Sequence, residues 1–382
     1  MTDTVAESFR DEIEHAALLV TAGPGGVGKT TTAAALGVAA ALAGRKVVVV
    51  TVDPARRLAD ALGLEAGAAA DAPHQVTGIP GLSDSKSKKS KDSSAGGGEL
   101  WALMLDAAST FDRLVREQTA NPKQAAAILE NPVYRAISGS LAGAQEYMAI
   151  ERLHQLYTSG EWDLVIVDTP PSRHAIDLLE APDRLIGFLG HPVYRALTVG
   201  QRAFAKVTNA AASMFLWAVR RLAGPQIVED TVEFFRSLAN IEPGLRKRAE
   251  EVSLLLRSEV ASFVVVSSPR AEAIGEAEHL IGALRDGSFP FSGVVVNLIH
   301  PMPEPLTAAD RVVLDDLDAG PLAEQVAWHD ELTELATAER EEIAGLADLA
   351  EDVVVVELPL LAVDVHDVDG LVGLAQQLAG GG

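Results

Sequence analysis

Short runs of β-branched and other apolar residues recur along the chain, and each run is followed by a turn signal and a stretch with helical spacing. The runs are continuous rather than alternating, which is typical of strands that are covered on both faces. Strands that alternate with helices join through right-handed crossovers, so the pattern predicts an α/β fold with a doubly wound, mostly parallel sheet of about seven strands. The predicted strands are Leu18 to Thr21, Val47 to Val52, Leu100 to Leu105, Leu164 to Val167, Phe263 to Val266, Val294 to Val296 and Val353 to Val356.

The 382 residues are expected to form a single domain, residues 1–382, with a helical insert at about residues 182–259. An apolar stripe within the insert includes Phe204 and Met214. Such a stripe forms core more often than it forms a groove for a client protein. The Ser- and Gly-rich run at residues 83–98 has too little apolar surface to bury, so it is predicted to be a disordered loop.

The turn after the first predicted strand carries the strongest chemical signal. Residues 23–30 read G-P-G-G-V-G-K-T, which fits the phosphate-binding pattern G-x-x-x-x-G-K-[ST] between a strand and a helix. The glycines allow backbone N–H groups to curl around a phosphate, and the helix directs its positive end at the same anion. Lys29 is expected to act catalytically by bridging the β- and γ-phosphates, and Thr30 to give its hydroxyl to Mg²⁺. The predicted nucleotide-binding residues here are Gly23, Gly25, Gly26, Val27, Gly28, Lys29, Thr30 and Thr31.

Two predicted strands end in aspartate. Asp53 either aligns or deprotonates the attacking water beside the metal, or only caps the next helix together with Pro54. Asp168 closes an apolar strand, as does the aspartate that orients a Mg²⁺-bound water in P-loop enzymes, although an aspartate there can also be a turn former. The predicted metal-binding residues are therefore Thr30, Asp53 and Asp168.

Later strand ends supply weaker signals. The side-chain amide of Asn297 could read the donor and acceptor edges of adenine, or belong to a plain turn. Pro359 lies in a segment, Glu357 to Leu361, that could run along the base. Because prolines 170 and 171 do not continue a helix or strand, residues Ser172 to Ala175 are expected to form a loop that moves when the γ-phosphate leaves.

Composition narrows the classes of partner. Lys and Arg number 31 against 54 Asp and Glu, a net charge of −23 that repels nucleic acid and anionic membranes. The chain has no cysteine, which excludes thiolate zinc sites and cysteine catalysis. Residues 1–15 lack the features of a secretory signal, and no run reaches the ~20 apolar residues of a spanning helix. We therefore expect a cytoplasmic protein without nucleic acid, zinc or an integral membrane segment.

Four segments together resemble the ArsA family of ATPases, in the SIMIBI class of P-loop NTPases. They are G-P-G-G-V-G-K-T-T, T-V-D-P-A-R-R-L-A-D, D-T-P-P-S-R-H-A and V-V-V-N-L, which begin at residues 23, 51, 168 and 294. Residues 140–148 are similar to a segment of a bacterial branch described as anion-transporting ATPases. The resemblance implies ATP and Mg²⁺ as cofactors, Asp53 as the water-activating residue of switch I, Asp168 as the switch II residue, and Asn297 as an adenine contact.

The chain departs from the family pattern at Pro24. The family has a second lysine there, which reaches the partner's phosphates across a nucleotide-sandwiching dimer. A cation supplied in trans is worth ~10³ or more in rate, so a homodimer of this chain is expected to hydrolyse ATP slowly. A heterodimer with a paralogue that keeps the lysine would restore that charge. Without cysteine, the thiols of the arsenite pump and the zinc clamp of the tail-anchored-protein targeting factor have no counterpart.

The leading interpretation is a Mg²⁺-dependent ATPase that works as a dimeric switch and couples its nucleotide state to a protein client. One alternative is a weakly catalytic or regulatory subunit of a heterodimeric ArsA-like complex. Another is a positioning ATPase of the MinD or ParA type. This last class also uses the second lysine and a basic membrane or DNA surface, whereas residues 371–382 contain no basic residue.

Overall fold

The computed structural model describes most of the chain. It covers residues 8–52, 57–64, 71–82, 97–119, 121–131, 144–191, 194, 233–315, 321–349, 353–362, 365 and 368–380. Asp53, most of the predicted disordered loop and residues 195–232 of the predicted insert lie outside these ranges.

The described residues form eight strands and twelve helices with defined ends. The strands are β1 (Leu18–Ala22), β2 (Lys46–Thr51), β3 (His74–Gln75), β4 (Glu99–Met104), β5 (Leu164–Asp168), β6 (Ala261–Ser267), β7 (Phe291–Ile299) and β8 (Val354–Pro359). The helices are α1 (Arg10–His15), α2 (Lys29–Leu42), α3 (Arg57–Ala61), α4 (Ala107–Gln118), α5 (Pro122–Leu129), α6 (Ala144–Thr158), α7 (Ser172–Gly190), α8 (Glu242–Leu256), α9 (Ala271–Asp286), α10 (Ala308–Asp315), α11 (Pro321–Leu349) and α12 (Val368–Leu378). Residues 233–239 are also helical.

The strands form one sheet in the order β3-β4-β2-β5-β1-β6-β7-β8. All neighbours are parallel except β3, which pairs antiparallel with β4. The predicted doubly wound, mostly parallel α/β fold is therefore confirmed, with one strand more than the seven predicted. The additional strand β3 has only two residues and no apolar run, so the hydrophobic pattern does not reveal it.

Both faces of the sheet are buried, which explains why the strands are continuous apolar runs. In β2, Val47 and Val49 pack in a core that contains α2 and α12, whereas Val48 and Val50 pack in a second core with α6, α7 and α9. A third apolar cluster lies among α4, α5, α6, α7 and α8, and it includes Leu189 near the C-terminal end of α7. The described chain thus forms a sheet between two helical layers, with a further helical cluster attached through α6, α7 and α8.

The predicted loop at Ser172 to Ala175 is wrong, because α7 begins at Ser172. Pro171 is the residue immediately before the helix. A proline is tolerated there because the first N–H groups of a helix have no intrahelical acceptor. The same helix continues through Pro182 to Gly190, so the insert predicted to begin near residue 182 would begin inside α7.

Candidate nucleotide-binding site

The carboxyl ends of the central strands meet at one edge of the sheet, where open α/β sheets bind their ligands. The pairing register places Asp168, the last residue of β5, beside Thr21 of β1 and beside Thr51 of β2. The loop that follows β1 contains the predicted phosphate-binding residues. The sheet therefore brings the glycine-rich loop and the predicted metal-binding aspartate together.

The backbone of this loop has the conformations that glycine favours. Gly26 and Gly28 have φ angles of 77° and 89°, both in the left-handed region. A Cβ on Gly23 would overlap the carbonyl oxygen of Val266 in β6, and one on Gly28 would overlap the amide nitrogen of Asn297. The loop is thus a tight cradle of backbone that side chains would fill, as the phosphate-binding pattern requires.

Lys29 is the first residue of α2, and its side chain is buried. Its ammonium Nζ donates to the carbonyl oxygen of Pro24 over 2.6 Å. This contact joins the end of the loop to its beginning and holds the positive charge beside the loop backbone. The ammonium group and the N-terminal end of α2 are both suited to an anion at this position.

Asp168 is 1% exposed and accepts two hydroxyl hydrogen bonds at the same oxygen, Oδ2. Thr30 Oγ1, in the first turn of α2, donates over 2.8 Å, and Thr51 Oγ1, at the end of β2, donates over 2.9 Å. Hydroxyl and carboxylate oxygens are ligands that Mg²⁺ accepts. No group of three or more His, Cys, Asp or Glu side chains in the described part of the chain is arranged to hold a metal. These residues therefore fit a Mg²⁺ ion that takes few protein ligands and is completed by phosphate oxygens and water.

The segment after Asp168 is tied back to β1. Thr169 Oγ1 donates to the carbonyl oxygen of Thr21 over 2.8 Å, and Thr21 Oγ1 donates to the carbonyl oxygen of Val167 over 3.1 Å. A Cβ on Gly25 would lie 3.9 Å from Pro171 Cγ. The start of the predicted switch II is therefore next to the phosphate loop.

Asn297 and Pro359 lie on neighbouring strands at the same edge. In β7, Asn297 directly precedes the last two residues of the strand. Pro359 is the last residue of β8 and pairs with Ile299 of β7. The Asn297 amide nitrogen Nδ2 donates to the carbonyl oxygen of Val27 over 3.0 Å. The structure thus connects Asn297 to the phosphate loop, while its predicted contact with adenine stays a prediction.

Sequence reasoning missed two contacts of this site. Thr51 was not a predicted site residue, because its proximity to Asp168 depends on β2 and β5 being neighbours. The contact of Asn297 with Val27 joins residues that are 270 positions apart. Thr51 could have been recognised from the sequence, because it places a hydroxyl at the end of the strand that leads to Asp53. Asp53 itself lies outside the described residues.

None of the described helices has the length and apolar character needed to cross a membrane.

Several relatives match at about a quarter identity. The chain is 26% identical over 359 residues to the ATPase GET3 of Malassezia globosa, covering 93% of this chain and 88% of that protein. It is 24% identical over 377 residues to the ATPase GET3 of Komagataella phaffii, covering 95% and 90%. It is 26% identical over 289 residues to the ATPase GET3B of Arabidopsis thaliana, covering 73% of this chain and 63% of that protein. These three relatives are eukaryotic, so they do not assign the chain to the expected bacterial branch.

A family described as anion-transporting ATPase, the ArsA ATPases, matches residues 16–308. The matched region covers well over half of the chain. It includes the phosphate loop, Asp168 and Asn297, whose geometry fits a nucleotide site. The chain belongs to the ArsA family of anion-transporting ATPases.

Proposed function

We propose that this ArsA-family ATPase binds Mg-ATP on residues 23–31 and works as a dimeric switch that couples its nucleotide state to a protein partner. The observation that carries the proposal is the double contact at Asp168. Its Oδ2 atom accepts from Thr30 in the phosphate loop helix and from Thr51, two residues before Asp53. One carboxylate therefore links the phosphate loop to both segments that could respond to the γ-phosphate.

Each residue has a defined role in this proposal. The loop N–H groups and Lys29 bind the triphosphate and stabilise the charge that develops during transfer. Thr30 and Asp168 are the groups that would hold Mg²⁺, with Asp53 as a further candidate. When bound, the metal would neutralise charge on the β- and γ-phosphate oxygens. Asp53 orients the attacking water and takes its proton, and Pro359 lies against the base.

The path from the nucleotide to a partner runs through α7. This helix begins four residues after Asp168 and continues to Gly190, so a displacement at its start can be passed to its far end. Ala181 in the middle of α7 and Leu189 near its C-terminal end pack in the apolar cluster of α4, α5, α6 and α8. A change at Asp168 would thereby reach a helical surface that is separate from the sheet.

The second candidate is a weakly catalytic or regulatory subunit, and Pro24 favours it. Proline cannot supply the cation that the family pattern has at this position, so this chain lacks that charge for a partner's site. A heterodimer with a paralogue that keeps the lysine would place the complete set of charges at one of its two sites. Turnover by the isolated chain distinguishes the two candidates.

A positioning ATPase of the MinD or ParA type receives no support from the C-terminal helix. Leu371, Leu374, Ala375 and Leu378 of α12 are buried in the core that contains α2. The apolar face of this helix is used inside the protein rather than presented to a membrane.

Mg-dependent ATP turnover by the purified chain, alone and mixed with a lysine-bearing paralogue, tests the proposal. We expect slow turnover alone and a rise of ~10³-fold in the mixture, because the partner supplies a cation in trans. Lys29→Ala is the negative control, since it removes the cation from the cradle. Asp53→Asn is expected to bind Mg-ATP without hydrolysing it and to retain the partner in a pull-down. If neither the chain nor the mixture binds Mg-ATP at millimolar concentration, the proposal is wrong.

A further inference from the structure

The side-chain amide of Asn297 contacts the phosphate loop although its strand is not a neighbour of β1. In the sheet order, β6 lies between β1 and β7. Asn297 is 8% exposed, and its Nδ2 donates to the carbonyl oxygen of Val27 over 3.0 Å. The absence of a Cβ on Gly28 leaves room for the same amide group. The contact therefore reaches the two residues that directly precede Lys29.

The alternation of side chains along β7 explains why this amide faces the loop. Val295 packs in the core that contains α2, whereas Val294 and Val296 pack in the core on the opposite face. Side chains two positions apart in a strand lie on the same face, so Asn297 follows Val295 toward α2. Because it is at the carboxyl end of the strand, it arrives level with the N-terminal end of α2.

The next residue reverses this alternation. Leu298 has a φ of 67°, a left-handed conformation that is unfavourable for a residue with a Cβ. The register between β7 and β8 shifts between Val296 and Ile299. Because of this irregularity, Ile299 packs in the same core as Val296 instead of following Asn297 to the other face. The irregularity allows Asn297 to face the loop while Ile299 stays buried.

Contacts from two other elements hold this irregular end of β7 in place. Glu339 of α11 accepts from the backbone N–H of His300 over 2.8 Å and contacts His300 Nδ1 at 2.7 Å. The carbonyl oxygen of Ile299 accepts from the backbone N–H of Leu360 over 2.7 Å. An unfavourable backbone conformation persists where the surrounding structure determines it in this way.

We propose that Asn297 is a positioning residue that braces the phosphate loop, and that this brace serves binding of the triphosphate whatever base it carries. The proposal rests on the proposed function, because it takes residues 23–30 as the triphosphate cradle. The donated hydrogen bond fixes the Val27 carbonyl and thereby the direction of the neighbouring loop N–H groups. A contact with adenine alone would instead depend on the base.

The first test measures the loop without any nucleotide. Amide hydrogen exchange of the full chain is compared for the parent, Asn297→Ala and Asn297→Asp, in peptides that cover residues 23–31. The aspartate variant keeps the size of the side chain but cannot donate at neutral pH. We expect faster exchange of the loop in both variants by about fivefold to tenfold, the value of one hydrogen bond, and unchanged exchange in α9. Exchange equal to that of the parent in Asn297→Asp would overturn the proposal, because packing alone would then explain the contact.

The second test asks whether the base matters. Dissociation constants are measured for Mg-ATP and for magnesium tripolyphosphate, which has no base, on the parent and on Asn297→Ala, which adds no charge beside the phosphates. The brace predicts an equal weakening of both ligands, about fivefold to tenfold. Weakening of Mg-ATP alone, with tripolyphosphate unchanged, would overturn the proposal in favour of a base contact.

The two tests separate this inference from the proposed function. If the parent binds neither Mg-ATP nor tripolyphosphate, the proposed function fails, while the exchange of the nucleotide-free loop still decides whether Asn297 braces it. If the parent binds Mg-ATP and the variants leave loop exchange unchanged, the proposed function stands and the brace is wrong.

Discussion

Two of the buried carboxylates in the described part of the chain have surroundings that differ in kind. Asp168 is 1% exposed at the end of β5 and accepts from the hydroxyls of Thr30 and Thr51. Glu151 is 0% exposed in the middle of α6, and it accepts from the guanidinium of Arg248 over 2.7 Å. One carboxylate thus accepts from two hydroxyls at the sheet edge where ligands bind, and the other is paired with a cation between helices.

This difference indicates two uses of a buried charge. Hydroxyl donors orient Asp168 without cancelling its charge, so the carboxylate is suited to a bound cation. Arg248 of α8 also contacts Glu117 of α4 at 3.4 Å, so the charges around Glu151 join three helices of the helical cluster. Substitutions at Asp168 are expected to affect turnover, and substitutions around Glu151 are expected to affect stability.

The largest expected effect is the loss of turnover in Asp168→Asn. The amide keeps the size of the side chain but removes the negative charge that would hold Mg²⁺ and its water, so turnover is expected to fall by about a hundredfold or more. Steady-state ATP hydrolysis at several Mg²⁺ concentrations measures this effect. Glu151→Gln is the matched control, because it makes the same chemical change in a buried carboxylate away from the site. Equal losses of turnover in both variants would contradict the assignment of Asp168 to turnover and of Glu151 to stability.

The second prediction concerns the Glu151–Arg248 pair. Arg248→Met leaves Glu151 buried without its cation, and the expected loss in free energy of unfolding is about 2 to 3 kcal/mol. The expected loss is smaller than for a fully buried ion pair, because the Arg248 side chain is 23% exposed. Urea unfolding measures the loss. The double variant Glu151→Gln/Arg248→Met is expected to recover most of it, because no unpaired buried charge is left. A double variant as unstable as the single one would show that Arg248 acts through packing instead.

Much of the fold follows from local pattern alone. Seven strands are visible as apolar runs because the sheet is covered on both faces, and each run carries its own signal. The phosphate loop is equally local, since strand, glycines and helix follow one another within residues 18–42. Asp168 is predictable because it ends such a run. These features need no knowledge of which strands are neighbours.

The missed features depend on contacts between distant parts of the chain. Thr51 meets Asp168 only because β2 and β5 pair, and the strand order is a property of the whole sheet. Glu151 and Arg248 are 97 positions apart, on helices whose packing no single segment reveals. The loop predicted after Pro171 failed for a local reason, because a proline that does not continue a strand is also tolerated immediately before a helix.

The third prediction is a pH dependence of stability that arises in the helical cluster. Burial raises the pKa of Glu151, and Arg248 opposes that shift. The folded protein therefore binds a proton that the unfolded chain has already released. The contribution of Glu151 is fully present below its ordinary pKa and is lost as the pH rises through the raised pKa.

Urea unfolding over a series of pH values measures this dependence. In Arg248→Met the pKa of Glu151 is expected to rise further, so the decline in stability should extend to higher pH than in the parent. Glu151→Gln removes the titrating group and should flatten this part of the curve. An identical pH profile in the parent and in Glu151→Gln would exclude Glu151 as the source.

The smallest expected effect comes from an ion pair that is exposed. Arg184 of α7 contacts Asp177 and Glu180 at 2.7 and 2.8 Å, distances as short as that of the buried pair, but its side chain is 51% exposed. Solvent screens such charges and the long side chain loses conformational freedom when it pairs, so Arg184→Ala is expected to change the free energy of unfolding by no more than about 0.5 kcal/mol. Urea unfolding of Arg184→Ala and of Arg248→Met, each in low and in high salt, measures the difference between the two losses in free energy of unfolding. If Arg184→Ala lowered the free energy of unfolding as much as Arg248→Met, the distance between the charges rather than their burial would determine how much an ion pair stabilises the protein. The proposed difference between the exposed and the buried pair would then be wrong.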